Sequence, residues 1–308
     1  MTDRLPDSLY LLRVHAQVLL SRALVATSFV VGAAITHGLE PALLTLLRFA
    51  LATLLFAPYV AWRHGLTLPS PRALCGYAAI SACVVLFFWS MFEALRLTSA
   101  LNAAAIYTLV PGIAALYAAI LVRERLGVHR LVAVALGALG ALWAVFRGDL
   151  DRMGALAFNT GDLIFIGGCL AMGLYMPLVR RLNRREPAAV MAFWVLATGT
   201  LWLLLLNNTA ILRQDWSAVA LEVYAGIAWL AVFTTILTFF IQQHATLYIG
   251  PTRVMSYSYL NPAFVVLLEW AVGQGLPTSM SLPGIAIILM ATFVVQGGVR
   301  STDARGRP

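Results

Sequence analysis

The segment Tyr257–Pro262, with the sequence Tyr-Ser-Tyr-Leu-Asn-Pro, places hydrogen-bonding groups and a proline inside a long apolar stretch. Residues four apart share one face of a helix, and one such face here consists of Arg253, Tyr257, Asn261, Val265 and Glu269. Lipid offers these groups no hydrogen bond, and Pro262 frees backbone carbonyls nearby. The face therefore predicts either structural hydrogen bonds to neighbouring helices or an inward-facing site that binds a polar small molecule.

A second proline-bearing segment lies 151 residues earlier, where Pro111 corresponds to Pro262 and Asn102 to Arg253. Prolines at corresponding points of two halves indicate broken helices around a mid-membrane site. The predicted substrate-binding residues are Trp89, Asn102, Tyr107, Pro111, Tyr175, Gln243, Tyr257, Tyr259, Asn261 and Pro262. We expect their rings to hold an apolar side chain. A ring that lies over an ammonium group would add a cation–π interaction of about 0.5–2 kcal/mol. The asparagine amides and the freed carbonyls would bind an ammonium or a carboxylate. Trp89 also fits an interfacial aromatic belt.

Other chemistries lack support in the sequence. No Gly-x-Ser-x-Gly or His-Glu-x-x-His motif and no pair of mid-membrane aspartates occurs, so an intramembrane enzyme is not expected. Cys75, Cys83 and Cys169 lack metal-ligand spacing and are expected to be small buried side chains. We expect no metal and no cofactor. The net charge of +8 comes from scattered arginines, which argues against nucleic-acid binding.

Composition and apolar block length set the fold class. The chain has 308 residues, of which 61% are hydrophobic and only 11% charged, too few charges to cover a soluble protein of this size. Long apolar blocks predict an all-α polytopic membrane protein with ten transmembrane helices. Their predicted ranges are 16–36, 41–62, 73–94, 98–121, 128–147, 161–181, 187–207, 222–245, 251–271 and 280–299.

Arginine placement predicts the orientation of these helices. With the N-terminus inside, the inner segments carry fourteen arginines and the outer loops four. Positive residues concentrate on the cytoplasmic side of membrane proteins. We therefore expect a multi-pass protein of the bacterial inner membrane with both termini in the cytoplasm. The predicted partners are a small-molecule substrate and the lipid bilayer; the oligomeric state stays open, and a monomer is compatible with the sequence.

Two halves of the chain resemble each other. Residues 94–111 align with 245–262 at an offset of 151, and Glu40-Pro41-Ala42 matches Glu186-Pro187-Ala188 at an offset of 146. Five helices per half is an odd number, so the second half enters the membrane from the opposite side. The sequence thus predicts two inverted five-helix repeats, residues 1–150 and 151–308, an arrangement common in secondary transporters.

A fourth helix that carries Pro111 and ends in Ile120–Gly127, "ILVRERLG", resembles the EamA family of the drug/metabolite transporter superfamily. The resemblance covers essentially the whole chain, and within that family the chain looks most like the exporters of aromatic amino acids. It implies export of amino acids, aromatic and other apolar ones, and of related metabolites, by alternating access through a central cavity. The second half departs from the pattern, because Gly275 stands where the first half has Glu124.

Energy coupling and alternatives follow from the charged residues. Proton-driven antiporters need a carboxylate deep in the membrane, but the acidic residues fall near helix ends, which predicts weak or no obligatory proton coupling. A multidrug or organic-cation exporter is the alternative, although such exporters also require a buried acidic residue, which is not evident in the sequence. Arg48 is costly at depth, about 2.5–3.5 kcal/mol on insertion scales. It could pair with a carbonyl or an acid, or bind a substrate carboxylate, and a structural role is favoured.

Overall fold

The computed structural model describes residues 8–121, 128–154, 158–182, 186–249, 254, 257–276 and 279–291. Within these ranges the chain is helical, with short connections and no strand. The longer helices are α1 Ser8–Ile35, α2 Pro41–His64, α3 Pro71–Ala94, α4 Ala100–Tyr107, α5 Val110–Leu121, α6 Val128–Phe146, α8 Thr160–Leu182, α9 Ala188–Leu206, α11 Leu221–Ala231, α12 Thr238–Ile249 and α13 Asn261–Ala271. Short helices α7 Leu150–Gly154 and α10 Asn208–Arg213 lie in the connections.

Two irregular stretches interrupt the later helices. A π-helix, Val232–Leu237, joins α11 to α12, and a 3₁₀ turn, Tyr257–Leu260, leads into α13. A further 3₁₀ turn, Ser279–Ser281, opens the last described helix, residues 282–291. Since π and 3₁₀ stretches inside helices often mark functional positions, both stretches are candidates for such positions.

Seven helical stretches are long and apolar enough to cross a membrane: Tyr10–Ile35, Pro41–His64, Pro71–Ala94, Ala100–Leu121, Thr160–Val179, Ala188–Leu206 and Leu221–Ala245. Two shorter apolar helices, Leu131–Phe146 and Ser279–Ala291, fall on two further predicted spans. The all-helical, polytopic prediction is therefore confirmed. The count of ten remains a prediction.

The predicted helix 98–121 is interrupted at residues 108 and 109, close to the break that Pro111 indicated. α4 ends at Tyr107 and α5 begins at Val110. Pro111 has no N–H to donate to the carbonyl of Tyr107, four residues earlier, and its ring crowds that carbonyl. The hydroxyl of Thr108 donates to the carbonyl of Ala105 (2.6 Å), which stabilises the last turn of α4.

Packing between the halves comes in matched pairs. α8 packs against α3 and α5, and α1 packs against α12 and α13. Similarly, α9 packs on α3 while α2 packs on α11, and α2 and α9 pack on each other. In the predicted repeat α1 corresponds to α8, α2 to α9, α3 to α11–α12 and α5 to α13. Exchanging helices in this way turns the contacts of α8 with α3 and α5 into those of α1 with α12 and α13, and the contact of α9 with α3 into that of α2 with α11.

The contact of α8 with α3 is especially close. A Cβ atom built on Gly168 would lie 2.9 Å from the Cβ of Ser90, and one on Gly161 would lie 2.9 Å from the carbonyl oxygen of Ala94. Glycine at both positions is therefore required for this approach, as is common where transmembrane helices touch.

Candidate functional site

The Tyr257–Pro262 segment faces the interior of the protein. Asn261 is 0% exposed, Tyr259 2% and Tyr257 8%. Pro262 and Val265 are also buried. The segment packs against α1, and α13 packs against both α1 and α4. The inward orientation expected from the sequence agrees with this placement.

Asn261 is the most unusual residue of the segment. Its Oδ1 and Nδ2 atoms are both buried, and neither has a hydrogen-bond partner among the described residues. The hydroxyl of Ser258, one turn earlier, is in the same condition. Leaving a buried polar group unpaired costs about 1–3 kcal/mol. Such a cost is typical of a site kept ready for a ligand or for water.

Arg22 of α1 links three elements near this segment. It is 2% exposed, and its Nη2 donates to Oε1 of Gln242 (3.1 Å) and to the carbonyl oxygen of Val254 (3.2 Å). The Gln242 amide donates in turn to the hydroxyl of Ser21 (3.2 Å). Arg22 thus ties α1 to α12 and to the chain that precedes the 3₁₀ turn. Its sequence gave no indication of this role, because its partners lie more than 200 residues away.

The N-terminal part of α1 closes against the same helices. Nδ1 of His15 lies 2.7 Å from the hydroxyl of Tyr257, and the hydroxyl of Tyr10 lies 3.3 Å from Nε2 of His244. The rings of Tyr10 and Tyr248 meet edge to face at 5.1 Å. Around them Val14, Val18, Ala245, Ile249 and Val254 form a small apolar cluster. His244 is exposed and hydrogen-bonded, as expected near a helix end.

Three predicted site residues of the first half, Asn102, Tyr107 and Pro111, differ in their contacts and are all partly exposed. Asn102 donates through Nδ2 to the hydroxyl of Thr98 (3.2 Å), which itself donates to Asp162 (2.7 Å), so Asn102 belongs to a network at the start of α4. Tyr107 is partly exposed, and its ring lies 5.8 Å from that of Phe29 and 5.6 Å from that of Phe87. Pro111 is half-buried at the start of α5.

The remaining predicted residues lie in different surroundings. Trp89 is 38% exposed on α3, a placement that fits the interfacial alternative. The ring of Tyr259 packs against Gly137 of α6, where an added Cβ would lie 2.8 Å from it. Tyr175 and Gln243 are half-buried, and Tyr175 packs against the main apolar core. Arg253 and Glu124, both singled out in the sequence, lie outside the described residues.

Arg48 has partners other than the carbonyl or acid expected. It is 1% exposed; Nε donates to the hydroxyl of Thr235 (3.2 Å) and Nη2 to that of Thr234 (2.9 Å). Both threonines lie in the π-helix. The guanidinium carbon lies 4.0 Å from the centre of the Phe88 ring. Nη1 is buried and has no hydrogen-bond partner in the part of the chain that the structure describes.

Carboxylates in the described ranges lie near helix ends. Glu93, at the end of α3, pairs with Arg96 at 3.9 Å, and both side chains are partly exposed. Asp162, in the first turn of α8, accepts from Thr98 and from the backbone N–H of Asn159 (3.3 Å). Glu269 is half-buried near the end of α13. None of these three acids approaches Arg48 or Arg22 as an ion pair.

A surface pocket lies apart from these residues. Its volume is about 280 Å³, and it is formed at the start of α3 around Arg72, Gly76 and Tyr77, together with Leu182 and Glu186. The hydroxyl of Tyr77 donates to the Glu186 carboxylate. The residues that line this pocket include none of the predicted site residues. Cys75 also lines it and is exposed, so the expectation that all three cysteines are buried is wrong for Cys75.

Comparison with known proteins gives concordant matches. The model of the EamA-like transporter family matches twice, over residues 13–146 and 159–296. An uncharacterised transporter of Archaeoglobus fulgidus is 24% identical over 261 residues, covering 84% of this chain and 88% of its own. The uncharacterised transporter YyaM of Bacillus subtilis is 22% identical over 209 residues, 68% of each chain. A solved crystal structure superposes with a TM-score of 0.64 at 19% identity, covering 92% of this chain and 97% of the other.

Proposed function

Since the chain belongs to the EamA-like transporter family, a family of multi-pass membrane transporters, we propose that it exports amino acids, aromatic and other apolar ones above all, together with related metabolites. Export would proceed by alternating access through a central cavity between two inverted halves, spanning residues 1–150 and 151–308. Amino-acid export is the expectation carried from the sequence resemblance. We place the protein in a bacterial inner membrane, with both termini in the cytoplasm.

The observation that carries this proposal is the unpaired amide of Asn261. An asparagine that is fully buried, has no hydrogen-bond partner in the described ranges and directly follows a 3₁₀ turn is costly unless a ligand completes it. An amide supplies both a donor and an acceptor. It can therefore bind either charged end of an amino acid.

The inverted repeat has three supports. The family model matches each half separately, and the interhelical contacts come in exchanged pairs. In addition, the hydroxyls of Thr53 and Thr200 lie 3.5 Å apart. These residues are 147 positions apart in the chain, within one position of the 146-residue offset. Thr53 and Thr200 are thus nearly equivalent positions of the two halves, and their contact supports a pseudo-twofold axis close to them.

The charged groups favour a facilitator over a proton antiporter. Proton coupling by a buried carboxylate needs an acid away from the helix ends, whereas Glu93 and Asp162 are occupied by hydrogen bonds or an ion pair near helix ends. Two buried arginines, Arg22 and Arg48, also make an organic-cation exporter the weaker alternative, because a cationic substrate is repelled by like charge.

Uptake by proteoliposomes tests the proposal. We expect purified protein to transport labelled phenylalanine or leucine, and not sugars, nucleotides or quaternary amines. Asn261→Ala and Tyr257→Ala should change the transport kinetics. Dissipating the pH gradient should leave uptake in place. Transport of quaternary amines alone, or unchanged kinetics in both variants, would refute the substrate class or the site, respectively.

A further inference from the structure

Arg48 is a buried cation whose charge no described carboxylate neutralises. It is 1% exposed and ranks first by size among the fully buried side chains in the described ranges. Its two described hydrogen-bond partners are neutral hydroxyls. Hydroxyls orient a guanidinium but do not cancel its charge, and an uncompensated buried charge is strongly unfavourable. An anion is therefore the missing element of this site.

The threonines hold the arginine in one orientation. The hydroxyls of Thr234 and Thr235 both donate to the carbonyl oxygen of Leu230, at 2.8 and 3.0 Å. With their single hydrogens committed there, only their lone pairs remain for Arg48. The π-helix brings the two consecutive threonines to the same guanidinium. Two of the five N–H groups of Arg48 are thus fixed, and Nη1 is left without a partner among the described residues.

A row of aromatic rings, Phe88, Phe87 and Tyr107, leads from Arg48 to one of the predicted substrate-binding residues. The ring of Phe88 covers the guanidinium at 4.0 Å and lies 5.0 Å from the ring of Phe87. Phe87 in turn lies 5.6 Å from Tyr107, a predicted substrate-binding residue. Phe88 is half-buried, whereas Nη1 is enclosed in this conformation. Displacement of the Phe88 ring would uncover the face of the guanidinium that the ring now covers.

We propose that Arg48 binds the carboxylate of the transported substrate through Nη1, while the row formed by Phe88, Phe87 and Tyr107 holds the apolar side chain. A guanidinium with a free N–H edge is suited to a carboxylate. This inference rests on the proposed transport function, and it makes the substrate a carboxylate-bearing apolar molecule. It replaces the structural role that the sequence favoured for Arg48.

The test uses four ligands that share one ring: phenylalanine, 3-phenylpropanoate, phenylalaninamide and phenethylamine. Binding to the purified full chain is measured by calorimetry or by tryptophan fluorescence. The two carboxylates should bind about tenfold more tightly than the two compounds without one, because charged hydrogen bonds are the strong ones. Equal affinity of wild-type protein for acid and amide overturns the proposal, and this result needs no variant.

Substitutions then assign the preference to Arg48. Arg48→Gln should abolish the acid-over-amide preference and leave phenethylamine binding in place, while Arg48→Lys should restore part of it. Arg213→Gln, which removes an exposed arginine in the last turn of α10, should keep the full preference. A folded Arg48→Gln protein with wild-type preference overturns the assignment. If Arg48→Gln does not fold, Thr235→Val must lower the preference several-fold, and an unchanged preference is contradictory.

Two further arms separate the sources of failure. If 3-phenylpropanoate or another carboxylate binds in an Arg48-dependent way while amino acids are not transported, the Arg48 site stands and the amino-acid proposal falls. If chloride stabilises the protein saturably and no acid preference exists, the anion is inorganic and the inference is wrong.

Discussion

Two contacts that correspond to each other under exchange of the halves differ in chemistry. α8 meets α3 through glycine, with Gly168 against Ser90 and Gly161 against Ala94. α1 meets α12 and the 3₁₀ turn before α13 through polar side chains, with Arg22 on Gln242 and His15 on Tyr257. The first contact is close packing of backbones, whereas the second is held by hydrogen bonds and contains unpaired buried atoms.

The difference separates a fixed contact from one able to open. Backbone packing at glycine loses dispersion contacts with any displacement and gains nothing in exchange. Hydrogen bonds between side chains can pass to a substrate or to water as the helices part. We therefore expect the α8–α3 contact to keep the halves together and the α1–α12–α13 contact to admit the substrate during alternating access.

The largest expected effect breaks the fixed contact. Gly168→Leu forces a side chain into Ser90 and towards the backbone of Phe87, 3.4 Å from the added Cβ, and should destabilise the protein by at least about 2 kcal/mol. Gly167→Leu is the matched control, because nothing lies within 4 Å of its Cβ. It should be neutral or stabilising by up to about 1 kcal/mol from helix propensity. Thermal unfolding in detergent measures both, and equal Tm values would contradict the close packing.

The next effect has the opposite sign and lies at the polar contact. Asn261→Leu replaces an unpaired buried amide by an apolar side chain of similar size and should raise stability by about 1–3 kcal/mol while transport is lost. Asn207→Leu serves as the control, because its Nδ2 donates to the carbonyl of Leu203 (3.0 Å), and its loss should cost about 1 kcal/mol. Destabilisation by Asn261→Leu would mean that its amide has a structural partner.

The smallest expected effect comes from removing a single hydrogen bond from the polar contact. Tyr257→Phe removes one hydrogen bond to His15, worth about 1 kcal/mol, so local opening of α1 should become about fivefold more frequent. Hydrogen–deuterium exchange over residues 10–20 reports it. Tyr224→Phe removes a comparable hydrogen bond, to the carbonyl of Trp216 (3.1 Å), and should leave exchange in α1 unchanged. Unaltered exchange in Tyr257→Phe would show that this bond does not hold α1.

Helix positions were predictable because each signal is local. The predicted span 41–62 compares with Pro41–His64, and 73–94 with Pro71–Ala94, since apolar length and a starting proline define a membrane helix by themselves. Local signals also sufficed to predict that Asn261 turns inward. The position of the break before α5 needed the three-dimensional structure, although Pro111 had indicated one.

The site chemistry was less predictable because it depends on distant partners. Arg48 meets Thr234 and Thr235 from 186 and 187 residues away, and the π-helix that presents them has no sequence signature. Arg22 had no role in the sequence prediction for the same reason. Tyr259, in contrast, has a side chain of a type that often binds ligands, but its ring packs against Gly137. Residue type indicates possible chemistry, whereas packing decides which residues are available for it.

Counterflow in proteoliposomes tests the central claim most directly, namely that the polar contact around Asn261 is the substrate site of a carrier. Vesicles preloaded with unlabelled phenylalanine should accumulate labelled phenylalanine faster than empty vesicles, with wild-type protein and with Asn207→Leu. Folded Asn261→Leu should show no such acceleration. Equal rates in loaded and empty vesicles, or undiminished counterflow in Asn261→Leu, would contradict the account.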